Sequence, residues 1–195
     1  KRAMAAGAQW VELIPTVVDI MRYSPRINFS SCRPVIGWIG SPSTQDYVVG
    51  IKDALVSICN TYRARLLLIG ATEKMHTEFN DLDIEILPWS EDKEAEFIRK
   101  MDIGIMPLPD GPWEKGKCGY KIIQYMASGV PVVASPVGVN VKIVTESKCG
   151  ILASSLPDWE VALLELIQSP TQRMKMGSAG RSEVEKVYSL QVQAP

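Results

Sequence analysis

Six short, continuously apolar segments constrain the fold of this chain more than any other feature of its sequence. They are VIGWIG (35–40), ARLLLIG (64–70), IEILPW (84–89), IGIMPL (103–108), VPVVASP (130–136) and GILAS (150–154). A strand that is apolar at consecutive positions is buried on both faces, which is typical of a parallel sheet covered by helices. The segments therefore predict strands of one parallel sheet.

Helical patterns separate these predicted strands. Apolar residues recur at spacings of three and four after the first strand, at Val48, Ile51, Leu55, Ile58, Cys59 and Tyr62. Residues 91–101 begin with acidic side chains and end with basic ones, as the helix dipole favours. A further helix, marked by Ile122, Ile123, Met126 and Ala127, should end at Gly129. The alternation predicts a doubly wound α/β sheet with right-handed crossovers.

Charge and hydropathy exclude two classes of partner. The chain has 21 Lys and Arg residues against 22 Asp and Glu residues, and no basic run, so we expect no nucleic acid partner. Its longest apolar runs, such as residues 66–71, are much shorter than the roughly 18 residues that span a bilayer. No signal-peptide pattern opens the chain. We expect a soluble, cytoplasmic domain without a transmembrane segment.

Metal and histidine chemistry are also disfavoured by the sequence. The cysteines, Cys32, Cys59, Cys118 and Cys149, do not form a ligand spacing such as CxxC. His76 is the only histidine, and the surrounding EKMHTEF is typical of an ordinary exposed helix or loop. We therefore predict neither a metal site nor a histidine-based nucleophile.

Ligands of open parallel sheets bind where the carboxyl ends of strands feed helix N-termini. The longest loop at that edge, residues 109–120, has an unusual end consisting of Gly116, Lys117, Cys118 and Gly119, with Lys121 following in the next helix. A lysine in a first helical turn is unfavourable by a few tenths of a kcal/mol unless an anion lies there. Free amides and two ammonium groups would suit a diphosphate. From local chemistry alone, a solvated loop with incidental lysines is an equally good interpretation.

Residues 102–140 also resemble a known family. GYKIIQYMASGVPVVASPVGVN (119–140), after DIGIMPLPDGPWEKGKC, resembles the donor-binding half of the retaining, GT-B-fold glycosyltransferases of family 4. In that family a Glu-x7-Glu motif enters a helix that is followed by a Pro-Val-Val-Ala-Ser strand. VELIPTVVDIMRY (11–23) resembles the family's interdomain segment, and residues 176–190 resemble its C-terminal helices.

The resemblance implies an organisation for the chain. Residues 1–34 would lead from a missing N-terminal domain, residues 35–169 would form a Rossmann-like nucleotide-sugar-binding domain, and residues 170–195 would add a C-terminal helix. The fold would be the C-terminal half of a GT-B fold. The chain starts without methionine, and we expect it to be an excised piece of a longer protein.

The implied function is transfer of a sugar from a nucleotide diphosphate sugar to an acceptor, with retention. The resemblance implies neither a metal nor another cofactor. A glycan or lipid-linked acceptor would bind through the missing domain, which could also place the enzyme at a membrane surface. The catalytic groups of the acceptor side would lie outside this chain, so the fragment alone should bind donor weakly and catalyse little.

The family's binding roles fall on definite residues of this sequence. Gly40 and Ser41 would lie under the diphosphate, and Pro88 and Trp89 beside the nucleobase. The phosphate would receive backbone N–H groups from Gly119, Tyr120 and Lys121, and the ribose hydroxyls would bind Gln124 in the place of the second motif glutamate. An alternative for Trp89 is a half-buried packing residue.

Three departures from the family pattern matter for function. The first motif glutamate falls on Gly116, and the phosphate-binding Arg and Lys after the first strand fall on Ser41 and near Tyr47. We hypothesise that Lys117 and Lys121 replace those cations, because the leaving diphosphate needs cations nearby rather than at one fixed position.

Other polar residues of the loop suggest chemistry less strongly. Asp110 and Glu114 are interpreted as solvated acids, and Cys118 as a spectator thiol. Two alternative functions remain open: a non-catalytic binding or partner subunit related to these enzymes, and a sugar-nucleotide epimerase on the same fold. A flavodoxin-like signalling domain is disfavoured, because the first strand ends in GSPST rather than in a phosphorylatable aspartate with nearby acids.

Overall fold

Each of the six apolar segments forms a strand in the computed structural model, which describes residues 2–12, 14–30 and 32–194. The strands are β1 Val35–Ile39, β2 Arg65–Ile69, β3 Ile84–Leu87, β4 Ile103–Met106, β5 Val132–Ala134 and β6 Gly150–Leu152. They form a single parallel sheet in the order β3-β2-β1-β4-β5-β6. The predicted doubly wound, Rossmann-like α/β fold is confirmed.

Helices and single helical turns connect the strands. The α-helices of the described residues are α1 Arg2–Ala5, α2 Asp46–Val49, α3 Lys52–Tyr62, α4 Lys74–Glu78, α5 Glu94–Ile98, α6 Tyr120–Ala127, α7 Asn140–Ser147, α8 Leu156–Gln168, α9 Pro170–Glu183 and α10 Leu190–Gln193. The 3-10 turns are Ile20–Arg22, Pro42–Thr44 and Glu114–Gly116, and a π-helical turn covers Val184–Tyr188.

Alternate residues of the strands enter two apolar layers, one on each face of the sheet. Leu67 and Ile69 pack with α6 and α7 on one face, whereas Leu66 and Leu68 pack with α3 and α8 on the other. Both layers exclude water from the central strands, which explains why the strand sequences are apolar at nearly every position. The two charged exceptions, Arg65 of β2 and Glu85 of β3, pair with each other at 2.7 Å.

Two predicted helices differ from the sequence pattern. The helix predicted from Val48 to Tyr62 is interrupted, because Ile51 has φ −116° and ψ 21° and so separates α2 from α3. The helix predicted over residues 91–101 is shorter, since residues 91–93 form a turn in which the Glu94 amide donates to the Ser90 carbonyl at 2.9 Å. Helix α6 matches its prediction and ends before Gly129, which has a φ of +66°.

The segment before β1 packs against the body of the domain. The Val18 amide donates to the Tyr188 carbonyl at 3.0 Å, and the Val18 carbonyl accepts from the Leu190 amide at 2.9 Å. Tyr23 and Phe29 are buried. The buried Arg173 of α9 donates to the carbonyl of Phe29. This part of the N-terminal segment is therefore a component of the folded domain. Across the described ranges, no helix is long and apolar enough to cross a membrane.

Candidate functional site

A cavity of about 450 Å³ opens at the carboxyl edge of the sheet, beside the ends of β1 and β3. The strand order reverses between β1 and β4, and ligands of doubly wound folds bind at such a switch point. Six residues proposed from the sequence line this cavity: Gly40, Ser41, Trp89, Tyr120, Lys121 and Gln124. Thus segments more than 80 residues apart converge where the topology predicts a ligand.

The other proposed residues lie elsewhere. Lys117 and Gly119 line a second cavity of about 340 Å³, which shares Tyr120 and Lys121 with the first. Pro88 is exposed and lines neither of these two cavities.

Glycines form the floor of the larger cavity because larger residues would not fit. A Cβ atom on Gly40 would lie 2.2 Å from the Trp38 ring and 2.7 Å from the Lys121 ammonium nitrogen. Gly70 has a φ of +79°, and a Cβ there would lie 2.2 Å from the Gly40 carbonyl oxygen. The loop after β1 therefore packs directly against the side chain of Lys121.

Helix α6 begins at the cavity with its first amides directed out of the helix. Gly119 precedes it with a φ of +72°, and a Cβ on Gly119 would lie 2.5 Å from Ile143. Hydrogen bonding within the helix begins at Ile122, whose amide donates to the Gly119 carbonyl at 3.0 Å. The amides of Tyr120 and Lys121 precede that bond, as the first-turn amides of a helix do, and such amides bind anions.

The Lys121 ammonium group lies between this helix and the loop after β1. Its nitrogen is 4.6 Å from the centroid of the Trp38 ring and 3.5 Å from the Thr44 hydroxyl. None of the ion pairs found within the described ranges includes Lys121. Burial, followed by the charge of Lys117, lowers the pKa of Lys121 to about 8. The site thus holds a cation that would gain stability from a bound anion.

A hydrogen-bonded chain of four side chains forms one wall of the cavity, in which Trp89, Glu94 and Gln124 line the space and the buried Tyr23 connects them. Glu94 is 4% exposed, and its two oxygens accept from the Tyr23 hydroxyl at 2.7 Å and from the Trp89 indole nitrogen at 2.9 Å. The Gln124 amide nitrogen donates to the Tyr23 oxygen at 3.2 Å. Burial raises the pKa of Tyr23, so that its hydroxyl stays protonated and continues to donate to Glu94.

Several residues at this site were missed by the sequence analysis. Arg22 and Glu91 line the cavity and form an ion pair at 2.9 Å, and Glu94 and Tyr23 form its buried hydrogen bonds. The rule that ligands bind after strand ends draws attention to the loop at residues 88–92 that contains Glu91. No pattern indicates Arg22 or Tyr23, because they come from the segment before the sheet.

The structure corrects one interpretation of the loop before α6 and confirms another. Glu114, expected to be solvated, is instead buried and accepts a hydrogen bond of 2.6 Å from the Tyr47 hydroxyl. This bond lowers the pKa of Glu114 and raises that of Tyr47. The expectation of a solvated acid is confirmed for Asp110, which is exposed and pairs with Lys115 at 3.0 Å.

The other titratable residues considered in the sequence analysis, His76 and Cys118, do not line the larger cavity. His76 lies on the short helix α4, half exposed and 3.4 Å from Glu73, which confirms the ordinary exposed helix. Cys118 is an exposed free thiol. Within residues 2–12, 14–30 and 32–194, no group of three or more His, Cys, Asp or Glu side chains converges in the way that a metal ion requires.

Comparison with known proteins identifies relatives of the chain. Residues 33–169 match the family model for glycosyl transferases of group 1. No curated protein matches the sequence.

Solved structures with the same fold include three with informative coverage. Sucrose-phosphate synthase from Thermosynechococcus elongatus is 18% identical with a TM-score of 0.76, over 99% of this chain and 53% of that one. A UDP and glucose complex of Alr3699/HepE from Anabaena is 16% identical with a TM-score of 0.71, over 91% and 53%. The C-terminal domain of LpcC, a glycosyl transferase group 1 family protein from Francisella tularensis, is 20% identical with a TM-score of 0.67, over 89% and 100%. The chain therefore spans about half the length of the first two and the whole of the third.

Proposed function

The chain belongs to the group 1 glycosyl transferases, and from this we propose that it binds the donor of an enzyme that transfers sugar from a nucleotide diphosphate sugar, with retention. One observation carries the proposal: the partly buried ammonium group of Lys121 faces the cavity beside the first amides of α6. Such a combination suits the diphosphate of a nucleotide sugar.

The lining residues suggest how the donor would lie. The diphosphate would rest against Gly40, Ser41 and the start of α6, and Gly40 has no Cβ to obstruct its approach to the backbone. The nucleobase would contact Trp89, whose indole lies at the end of β3 and is fixed by its hydrogen bond to Glu94. Trp89 is 54% exposed, so its ring face is available to a ligand.

The chemical contribution of this chain would be stabilisation of the leaving group. As the bond between the sugar carbon and the diphosphate oxygen breaks, the diphosphate takes the electron pair of that bond and gains negative charge, while the acceptor hydroxyl oxygen bonds the carbon and releases its proton. The Lys121 ammonium and the α6 amides would oppose that charge. We propose that this replaces the role a metal would have.

The acceptor site is proposed to lie on a domain outside this chain. A glycan or lipid-linked acceptor would reach the sugar from that domain, at the cytoplasmic surface of a membrane if the acceptor is lipid-linked. The chain alone is expected to bind nucleotide and to transfer no sugar.

The first test is a calorimetric titration of this chain with UDP, GDP and ADP. We expect saturable binding of one nucleotide, with the corresponding nucleoside binding more weakly because it lacks the diphosphate. Absence of binding by all three nucleotides, in a sample whose circular dichroism shows a folded α/β protein, would refute the proposed function.

Trp89 and Trp113 provide a matched pair for locating the nucleobase. Both are exposed, by 54% and 78%, but only Trp89 lines the larger cavity. We expect Trp89→Ala to weaken nucleotide affinity about tenfold, since an aromatic side chain stacked on a base contributes about 1–3 kcal/mol. Trp113→Ala should leave the affinity unchanged. Equal effects of the two substitutions in the same titration would contradict this placement.

A second candidate function is a non-catalytic partner subunit, favoured by the absence of the first motif glutamate at Gly116. The space there is open, because a Cβ on Gly116 would meet no atom within 4 Å. A carboxylate could therefore be accommodated, yet the chain has glycine.

Gly116→Glu in the full-length protein distinguishes an enzyme from such a subunit. An active enzyme should release nucleotide diphosphate from a nucleotide sugar, and the new carboxylate beside the sugar should change that rate about tenfold or more. Gly116→Gln, of equal size but neutral, is the control. If neither the natural protein nor the variants release product, while all bind nucleotide, the non-catalytic function is supported.

A further inference from the structure

We infer that Glu94, rather than Gln124, supplies the carboxylate that binds the ribose hydroxyls of the donor. This inference rests on the proposed function and adds a residue that determines selectivity for the ribose. It comes from the four-residue wall formed by Trp89, Glu94, Tyr23 and Gln124.

Gln124 lines the cavity but is largely buried within the wall. Its side chain is 2% exposed, and its amide nitrogen donates to the Tyr23 oxygen. An amide offers one acceptor oxygen without a formal charge, whereas a carboxylate offers two charged oxygens. Gln124 therefore offers fewer acceptor oxygens to the two neighbouring ribose hydroxyls than a glutamate at position 124 would.

Glu94 has the acceptor capacity that Gln124 lacks. Each of its oxygens receives one hydrogen bond, from Tyr23 or from Trp89, and a carboxylate oxygen has about two lone-pair sites. Two sites are thus left for two hydroxyl donors, which is the number that a ribose presents. Glu94 lines the same cavity as Lys121 and Trp89. It is bonded to the residue proposed to contact the base, so it occupies the position expected for a ribose partner.

The direction of the hydrogen bonds explains why residue 124 is a glutamine. The Gln124 amide donates to the Tyr23 oxygen, and the Tyr23 hydroxyl donates its single proton to Glu94. A glutamate at position 124 would have no proton to donate to that oxygen and would bring a second buried negative charge close to Glu94. The wall therefore keeps one carboxylate, located on α5 instead of α6.

The test compares ribonucleotides with deoxynucleotides. Among UDP, GDP and ADP, the nucleotide with the highest affinity for the natural chain is titrated together with its 2′-deoxy and 3′-deoxy forms. We expect each missing hydroxyl to weaken binding about tenfold, as is typical of a hydrogen bond to a charged group. The quantity compared is the Kd of each deoxynucleotide divided by the Kd of the ribonucleotide. For Glu94→Gln, this ratio should fall to about two or less, because the ribonucleotide loses affinity while the deoxy forms change little.

Glu96→Gln is the matched control, because Glu96 lies on the same helix but is exposed and pairs only loosely with Lys100 at 3.9 Å. It should keep the natural ratio. If Glu94 only orients Trp89, Glu94→Gln will weaken binding of all three nucleotides equally and the ratio will persist, which overturns the inference.

A second variant keeps the test decisive if Glu94→Gln fails to fold. Glu94→Asp retains the charge for Tyr23 and Trp89 but withdraws the carboxylate by one methylene. We expect the ratio to fall at least threefold in this variant, and an unchanged ratio would again overturn the inference. Absence of nucleotide binding by the natural chain would overturn the proposed function as well, so the two failures are distinguishable.

Discussion

Asp102→Ala is expected to lower the free energy of unfolding by about 3–5 kcal/mol, the cost of removing one member of a buried ion pair. Asp102 is 0% exposed. Its carboxylate accepts from the Arg26 guanidinium at 2.7 Å and from the Val35 amide at 2.9 Å. The variant would leave both donors without this acceptor, with Arg26 largely buried. Urea denaturation followed by circular dichroism measures the change.

Asp110→Ala is the matched control for this experiment. Asp110 also pairs with a cation, Lys115 at 3.0 Å, but both side chains are more than half exposed. Exposed pairs contribute about 0–1 kcal/mol, so the control should unfold close to the natural midpoint. Loss of less than about 1 kcal/mol in Asp102→Ala would show that the buried pair does not stabilise the domain.

The same pair connects stability to the site. Arg26 joins the segment before β1 to the residue that precedes β4. That segment provides Arg22, which lines the cavity, and Tyr23, which donates a hydrogen bond to Glu94. Weakening the attachment should therefore loosen one side of the cavity. We expect Asp102→Ala to reduce nucleotide affinity even though Asp102 does not line the cavity.

The sheet could be predicted from sequence because its signal is local. The four central strands are buried on both faces and the edge strands β3 and β6 are half-buried, so the apolar runs are visible in the residues themselves, and the topology then fixes which strand ends meet. The helix at 120–127 was equally visible, since Ile122, Ile123, Met126 and Ala127 recur with helical spacing before Gly129. Gly40, Trp89 and Lys121 could be brought together by this reasoning, because they follow or face the carboxyl ends of strands.

The hydrogen-bonded wall of the cavity could not be predicted, because it depends on contacts between distant segments. Tyr23 bonds to Glu94 across 71 residues and to Gln124 across 101. In the sequence, Glu94 is one of several acids in EDKEAEF, and only its neighbours in space distinguish it from the exposed Glu96. Glu114 was misjudged for the same reason, since its partner Tyr47 lies 67 residues away.

The C-terminal helix α9 illustrates a second limit of sequence patterns. Its Arg173 is 1% exposed and donates to the carbonyls of Leu166, Ile167 and Phe29. A charged residue is expected at the surface unless it is paired. Here backbone carbonyls from two separate segments provide the partners, and carbonyl positions cannot be inferred from side-chain patterning.

Lys121→Met is expected to weaken binding of the preferred nucleotide diphosphate about 30- to 100-fold at pH 7. The value corresponds to loss of a charge-assisted contact in a partly buried site, about 2–3 kcal/mol. Methionine keeps most of the side-chain volume over the Trp38 ring, so the fold should persist. Lys100→Met, at an exposed lysine of the turn after α5, is the control and should leave the affinity unchanged.

The pH dependence of this affinity separates a bound ammonium from a structural lysine. The pKa of Lys121 in the free chain is about 8, below the ordinary 10.5, and a bound diphosphate should raise it by favouring the charged form. Below about pH 8 both free and bound chains carry the proton, and the affinity should be nearly constant. Above that pH the free chain loses the proton and binding must take one up, so the affinity should fall by up to tenfold per pH unit.

Calorimetry between pH 6.5 and about 9, in buffers of different ionisation enthalpy, measures both the affinity and the number of protons taken up on binding. A profile for the natural chain as flat as that of Lys121→Met would show that the ammonium does not bind the diphosphate, even if the nucleotide binds.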